Sequence, residues 1–519
     1  MSISSLLHSL RKSSGKNKQT GAKSPLLDDQ TRISPSLSVN LNWLKDCLGQ
    51  APDLVVKDIT IGQVGLKAVY FEELVSNSLI NDLLYGPMVD ANALFKGQED
   101  LFEFIKEKIL NAGQLREITT SGKALEAVIF GETVLFFEGY SKALVMDTKS
   151  WETRGVEEPK DEVTIRGARD GFTENIMTNL ALIRRRLRDP GLRVYRMTLG
   201  ERTNTPVIVL YLKEIAKQEI FDELLNRLNK VQIDGVLESG TLEQLIEDNI
   251  YSPFPQILVS ERPDKAVAHL LEGRYVILTD ATPFALILPA TMAQFISSPE
   301  DYYERWITAS TIRFLRYAAV FMSMFLPAIY IALTSFHYHL IPSRLINQVA
   351  EARNVVPFTP FAEAVIMELT LELLREASVR LPASVGQTIG VVGGIILGNA
   401  AIQAGLFSPL LVIVVSLTAI STFIIPNYNF GLAVRFLRFP IAFISALFGG
   451  FGIIIAWIIL TTHLVTLESF GVPYASPFAP LRLGDLKDTL IRAPISSMIK
   501  RPKSARAQDK RRQVQKNEN

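Results

Sequence analysis

Cysteine and histidine are scarce in this chain. Cys47 is the one cysteine among 519 residues, and there are only five histidines. A single thiol excludes an intrachain disulfide and any zinc site built on paired cysteines. Cys47 itself reads as a small core residue of a helix. Enzyme signatures are missing as well. Gly122-Lys123 lacks the upstream glycine and the following Ser/Thr of a phosphate-binding loop, and no G-x-S-x-G or H-E-x-x-H occurs. The chain therefore reads as a non-enzyme with no cofactor and no metal. His337 and His339 flank Tyr338 at the end of an apolar run, where an interfacial position suits them better than a metal site. The formal net charge of +1 offers no electrostatic footprint for nucleic acid.

Charge is also absent, but only locally. No Asp, Glu, Lys or Arg occurs in residues 317–343, 381–434 or 439–467, whereas charges are dense through residues 1–316. A bilayer core of about 30 Å takes roughly 20 apolar helical residues to cross. The expected spans are 317–337, 386–406, 409–426 and 441–465, the middle pair divided at Ser408-Pro409. In water such segments expose more apolar surface than soluble monomers carry. Two further pieces are open. Residues 281–299 are uncharged but interrupted by Pro283 and Pro289, which fits a re-entrant or interfacial segment covered by protein. Residues 359–380 form an amphipathic helix with Thr359 as cap and Pro360 in its first turn.

The chain divides accordingly. Residues 1–36 are a basic tail, too poor in apolar residues to order and without the apolar stretch of a secretory signal. Residues 37–150 form a first α/β subdomain, with a strand pair around Gly62–Gly65 and another around Gly139. Residues 151–275 form a second, whose clearest helix spans 172–188 with Thr173 as cap and Glu174 on the positive end of the dipole. Residues 276–480 are the helical membrane domain, and 481–519 a basic C-terminal tail. The fold class is thus a multi-domain membrane protein: two α/β (α+β) soluble N-terminal subdomains followed by an α-helical transmembrane domain. Both basic ends belong on the cytoplasmic side, so the number of spans is even. Four spans satisfy this but leave Arg435 and Arg438 outside; a six-segment arrangement counting both open pieces is the alternative.

Two periodic motifs stand out in the apolar third. Gly386, Gly390, Gly394 and Gly398 place four missing side chains on one helix face, suited to close helix packing within one subunit or around an axis between subunits. Glu363, Glu368, Glu372 and Glu376, with Arg375 nearby, recur along the 359–380 helix. Such carboxylates are either a paired or solvated face, or a cation-attracting ring lining a vestibule. Arg184, Arg185, Arg186 and Arg188 at the end of the 172–188 helix read as dipole complements and ion-pair partners, the alternative being a site for phosphate or for the headgroups of membrane lipids.

The run Arg166–Leu187, which includes Arg166, Gly167, Gly171, Phe172, Glu174, Thr178, Asn179 and Arg184-Arg185-Arg186, resembles the signature of the A subunit of spore germinant receptors, the GerA family. So do Asp280–Ala290 reading into Ser298–Tyr302, Leu374–Ala377 with Arg380-Leu-Pro382, and Pro426-Asn-Tyr428, in the same order over roughly residues 40–485. Ala168, where many relatives carry proline, departs from the pattern. The resemblance implies a nutrient sensor in the inner membrane of a dormant spore, with the N-terminal domains and C-terminal tail facing the spore core. Its partners are then a transporter-like B subunit and a C-type lipoprotein. It further implies a pentameric, ligand-gated ion channel formed by the A subunit. A homologue of the same architecture, the stage V sporulation protein AF, acts as an ion-conducting amplifier of germination; it and a non-conducting scaffold subunit are the alternatives.

Overall fold

The computed structural model describes residues 29–95, 100–110, 115–149, 157–159, 162, 164–380 and 399–513. They fall into two compact units. The first draws on Met1–Glu152 and Arg184–Arg193, the second on Thr153–Ile183 and Val194–Arg512.

In the first unit, helix α1 (Leu37–Leu48) buries Leu37, Leu41, Leu44 and Leu48, one stripe at helical spacing. It stops at Gly49, whose φ of +67° lets the Gly49 and Gln50 amides reach the carbonyls of Asp46 and Lys45. Cys47 is buried there, and burial pushes its thiol up, away from the reactive thiolate. A five-stranded sheet follows, built from β1 (Leu54–Ile61), β2 (Val64–Phe71), β3 (Arg116–Ile118), β4 (Thr133–Phe137) and β5 (Ala143–Met146), in the order β1-β2-β4-β5-β3. Helix α2 (Ser121–Ile129) precedes β4. The expected tail ends earlier than residue 36. Ile33 is buried and donates to the Thr119 carbonyl, and Ser121 donates back to Thr31, so an apolar residue at 33 ties the chain into the fold. Residues 1–28 lie outside the described residues.

The first helix of the second unit, α3 (Ile176–Arg186, its last three residues counted with the first unit), is shorter than the 172–188 helix expected from the pattern. Asn175, not Thr173, caps it: its Oδ1 accepts from the amides of Met177 and Thr178 at 2.8 and 3.1 Å. The second sheet contains β6 (Leu192–Leu199), β7 (Thr205–Leu212), β8 (Leu258–Ser260), β9 (Tyr275–Thr279) and β10 (Ala285–Leu288), in the order β6-β7-β9-β10-β8. Helices α4 (Gln218–Asn229) and α5 (Ser239–Ile246) share a core with this sheet through Phe221, Leu224, Leu242 and Ile246, and α6 (Pro263–Leu271) lies against β9. This sheet runs past residue 275 and corrects the reading of 281–299. That segment is not re-entrant but supplies β10, paired on both sides by β8 and β9, and a short helix at Met292–Ile296. A strand buried on both faces is a continuous apolar run, so composition alone does not separate it from a lipid-facing one.

The apolar helices follow. Helix α7 (Trp306–Ser335) starts eleven residues before the expected span and carries Arg313 and Arg316 in its first turns. Then come α8 (Ser343–Asn354), α9 (Pro360–Arg380), α10 (Pro409–Phe423) and α11 (Tyr428–Thr466). Only α7 and α11 are both long and apolar enough to cross a membrane among the described residues. The span expected at 386–406 falls largely outside the described residues, which show helical backbone at 399–403; Gly386, Gly390, Gly394 and Gly398 lie outside them.

Helix α11 is two helices. Gly449 breaks it with φ 61° and ψ −139°. Residues 428–448 run alongside α7 in the same direction, since Ser445 donates to Ala328 O and Gly450 N to His337 Nε2 at 3.0 Å. Residues 450–466 return, with Trp457 against Phe321 and Phe325 and His463 bonded to Ser252. Residues 428–448 span about 31 Å at 1.5 Å per residue. The expected single span at 441–465 is therefore a hairpin. Arg435 and Arg438 lie buried within its first arm rather than at an outer end. Antiparallel to α7 run α10, through Ser323–Thr422 and Tyr330–Ser408 contacts at 2.7 and 2.9 Å, and α9, whose Glu363 meets Ser408 while Arg375 lies over Phe423.

The foot of α7 is held by charge. Asp301 accepts from Arg313 Nε and Arg316 NH1, both at 2.8 Å, and Arg313 also reaches Asp488 at 3.2 Å. Tyr302 donates to Asp488 at 3.0 Å, and Arg492 donates to Tyr302 O at 3.1 Å. Burial pushes the Asp488 carboxyl above its usual range, against the pull of Arg313. Further on, Gln508 N bonds Ile215 O and Arg501 Nε bonds Leu271 O. The C-terminal stretch is therefore not a free tail through residue 513: its acidic residues and backbone find partners that charge counting alone does not reveal.

A Cβ on Gly449 would meet Phe336 Cγ at 2.8 Å, in a backbone conformation that L residues avoid, whereas nothing lies within 4 Å of one on Gly431. Gly449→Ala is expected to lower the thermal unfolding midpoint of the detergent-solubilised protein, corresponding to a loss of about 1–3 kcal/mol. Gly431→Ala is expected to leave it unchanged or raise it.

Candidate functional site

The most unusual feature of the helical part is a seam of charge among apolar helices. Thr359 caps α9, its hydroxyl accepting from Ala362 N at 3.3 Å. From there α9 places Glu363, Glu368 and Glu372 toward three different partners. Glu363 is fully buried. One oxygen accepts from Ser408 N, and the other from Arg353 NH1 at 3.3 Å. Arg353 also donates to the Tyr330 hydroxyl, which contacts Ser408 Oγ at 2.9 Å. Glu368, 3% exposed, pairs with Arg438, whose second amino group reaches Thr422 Oγ1 at 3.3 Å; Thr422 in turn meets Ser323. Glu372 lies 3.3 Å from Arg435 and 3.6 Å from Arg375. Glu376 is exposed and pairs within its own helix with Arg380.

These pairs follow from helix geometry. Glu368 and Glu372 sit one turn apart, as do Arg435 and Arg438, and the antiparallel run of α9 against α11 brings them into register. The seam is not saturated. Glu368 Oε1, Arg435 Nε and Arg438 Nε are buried and find no hydrogen-bond partner among the described residues. One acceptor and two donors left over at the same place hold polar capacity that apolar neighbours cannot satisfy. Sequence reasoning singled out the glutamates but missed Arg353, Tyr330, Ser408 and Thr422, and it misplaced Arg435 and Arg438. The signal for the last two was two arginines at helical spacing between long uncharged runs.

The residues of the 166–187 run are braces. Gly167 has φ +152°, and a Cβ there would meet Tyr303 at 2.8 Å. Gly171 N bonds Glu157 O, and Phe172, buried, donates from its amide to Glu261 O. Asn179 closes the 173 turn, accepting from Thr173 N at 2.7 Å and donating to Thr173 O at 2.6 Å. The 280–290 motif meets the same place. Asp280 Oδ1 accepts from Ile176 N, and Ala281 N donates to the backbone oxygen of exposed Glu174. Thr178 N donates to Asn175, and Ala168 O accepts from Arg262. Arg166 is exposed. Arg184, in the first unit, forks onto buried Asp53 at 2.5 and 2.8 Å and lies over Phe71. Asn427 of the Pro426-Asn-Tyr428 motif caps α11 by accepting from Phe430 N.

Residues 42–504 match the family described as Bacillus/Clostridium GerA spore germination protein. The chain belongs to the GerA family. It is 40% identical to "Spore germination protein KA" of Bacillus subtilis over 93% of this chain and 89% of that protein. It is 42% identical to "Uncharacterized membrane protein YfkQ" of the same organism (92% and 93%) and 42% identical to "Spore germination protein B1" (93% and 100%). Among solved structures, the N-terminal domain of the A subunit of the Bacillus megaterium spore germinant receptor GerK3 aligns with a TM-score of 0.41 and 33% identity, over 50% of this chain and 98% of that one.

This GerA-family chain also carries an acidic cavity of about 400 Å³ between α5 and the start of α11, lined by Glu238, Glu243, Glu261, Asn427 and Tyr428 among others. Burial, with Glu247 and Glu238 nearby, pushes Glu243 up to about 8; burial and Asp248 push Glu247 up to about 7. Both groups bind more proton folded than unfolded. Their contribution to stability is therefore fully present below about pH 4.5 and is lost as pH rises through 7 to 8. The thermal midpoint is expected to fall between pH 6 and pH 8.5, and Glu243→Gln to reduce that fall.

For the seam, Arg438→Met leaves Glu368 buried without its counter-charge and is expected to cost about 3–5 kcal/mol. Arg438→Met combined with Glu368→Leu is expected to cost clearly less than the sum of the two single variants in a thermal double-mutant cycle.

Proposed function

We propose that this chain is the A-type subunit of a nutrient germinant receptor in the inner membrane of the spore. In this reading α7 and α11 span the bilayer, and the subunit acts as an oligomer with a transporter-like B subunit and a C-type lipoprotein. The opposed directions of α7 and the first arm of α11 on the one hand and of α9, α10 and the second arm on the other support a membrane bundle whose soluble parts lie on one side, the spore core.

The Glu368–Arg438 pair carries the proposal. In hydrocarbon a lone charge is costly, so the pair holds α9 against the first arm of α11 as long as both partners stay together. Separating a buried pair costs about 3–5 kcal/mol. Moving an equilibrium from 1:99 to 99:1 takes about 5.5 kcal/mol of differential binding. One such pair per subunit is therefore of the right size to hold a closed state that nutrient binding in a partner can overcome. Rearrangement of the seam then opens a polar route for ions between α9, α10 and α11, where the unpartnered oxygen and nitrogens of Glu368, Arg435 and Arg438 already favour water.

The pairing of every described carboxylate on α9 also supports a second reading, a scaffold that positions its partners and conducts nothing. Recordings from the purified receptor in planar bilayers separate the two. Nutrient-dependent current from the native complex, altered by Glu368→Gln with assembly intact, is the expected result. Silence of the complete receptor under all nutrient conditions establishes the scaffold instead.

A further inference from the structure

We propose that the loop joining α5 to β8, with Ile250 and Tyr251 at its tip, seats in the headgroup region of the bilayer and anchors the second β subdomain at the foot of the apolar helices. The proposal rests on reading α7 and α11 as membrane-spanning.

The first observation is exposure. Tyr251 is 90% exposed, Leu237 77% and Ile250 61%. These are large side chains presented outward from a subdomain whose own core is well filled. The second is level. Ser252, the next residue, bonds His463 Nε2 at 2.9 Å, and Phe254 packs on both Phe430 and His463, with ring centroids 5.7 and 6.2 Å away. The loop tip is thus fixed beside the ends of both arms of α11. The outward face of the returning arm stays uncharged past that level, to Leu467, with exposed Thr462 and Thr466 beside its apolar residues. Ile454, Ile458 and Ile459 are exposed, and Val465, two residues beyond His463, is still 51% exposed. The loop therefore lies at the edge of an apolar belt, where uncharged polar residues begin to replace the isoleucines. The third is continuity on the other side. Glu238, next to Leu237, lines the same cavity as Tyr428, itself exposed at the foot of the outgoing arm. Tyr251 and Tyr428 occupy the amphipathic positions that aromatic residues take at a membrane boundary.

The charges near the tip are compatible with a lipid surface. Asp248 is held by Arg227 at 2.7 Å. Glu243 and Glu247, whose carboxyls are pushed up to about 8 and about 7, retain protons near neutral pH and so repel anionic headgroups less than their number suggests. Glu238 is engaged by Ser239 Oγ and Gly240 N. The bilayer is the occupant favoured over a second copy of the chain, because the exposed loop side chains continue the apolar belt of the helices.

The test uses full-length protein in nanodiscs of phosphatidylethanolamine and phosphatidylglycerol, in a Cys47→Ala background. An environment-sensitive nitrobenzoxadiazole probe is attached at Tyr251→Cys, with Ile250→Cys as a second position and Phe436→Cys, on the exposed face of the outgoing arm, as the membrane reference. Lipids carrying a doxyl group at carbon 5 are expected to quench the Tyr251→Cys and Ile250→Cys probes at least twofold, and more than lipids labelled at carbon 12. Quenching at Phe436→Cys with none at either loop position overturns the loop proposal and leaves the membrane reading intact. No quenching at any of the three overturns the membrane reading and the loop proposal together. Energy transfer between labelled subunits at the loop, in place of lipid quenching, assigns the surface to a second copy and overturns the proposal.

Discussion

A charged side chain among apolar helices has to find its partner there, because neither hydrocarbon nor packed protein hydrates it. That constraint organises the helical part of this protein. Glu363, Glu368 and Glu372 fix where α9 lies: Glu363 takes Arg353 of α8 and the Ser408 amide ahead of α10, and Glu368 and Glu372 take Arg438 and Arg435 of α11. At the foot of α7, Asp301 does the same for Arg313 and Arg316, and Asp488 draws the C-terminal stretch onto that place. Apolar packing alone permits helices to slide or rotate at little cost. The ion pairs set their register.

The same logic separates structure from function in the family motifs. The glycines and asparagines of the 166–187 run close turns and accept close neighbours; they shape a junction in the second subdomain and make no ligand set. The seam along α9 joins charges of several helices inside an apolar bundle, and it shares its leftover buried polar atoms with the foot of α7, where Arg313 NH2 and Arg492 Nε also find no partner among the described residues. A purely structural network tends to satisfy all its members.

Gly449 illustrates how a single backbone position changes topology. Its φ of +61° turns one continuous apolar stretch into two antiparallel arms, and Phe336 and His337 at the end of α7 pack against the turn. One segment of about forty apolar residues and two of about twenty have the same composition. This is the physical reason why the run read as a single span at 441–465 preceded by Arg435 and Arg438, and folds as two arms with both arginines buried in the first.

From the sequence alone, the alternation of hydrophobicity in residues 54–71, the helical spacing in 37–48 and the local absence of charge after Arg316 determined the order of parts: mixed α/β layers, then apolar helices. The long motifs determined the family, and the four-residue spacing of the α9 glutamates marked them as a set. Tertiary structure decided the rest. Whether 285–288 is a buried strand or a lipid-facing segment depends on its neighbours β8 and β9, which lie tens of residues away in the chain. Whether a carboxylate faces an aqueous vestibule or an arginine depends on which helix packs against it, and pairings such as Glu368 with Arg438 join residues 70 positions apart. Local patterns record periodicity and solvent preference; they carry no information about which distant charge arrives opposite.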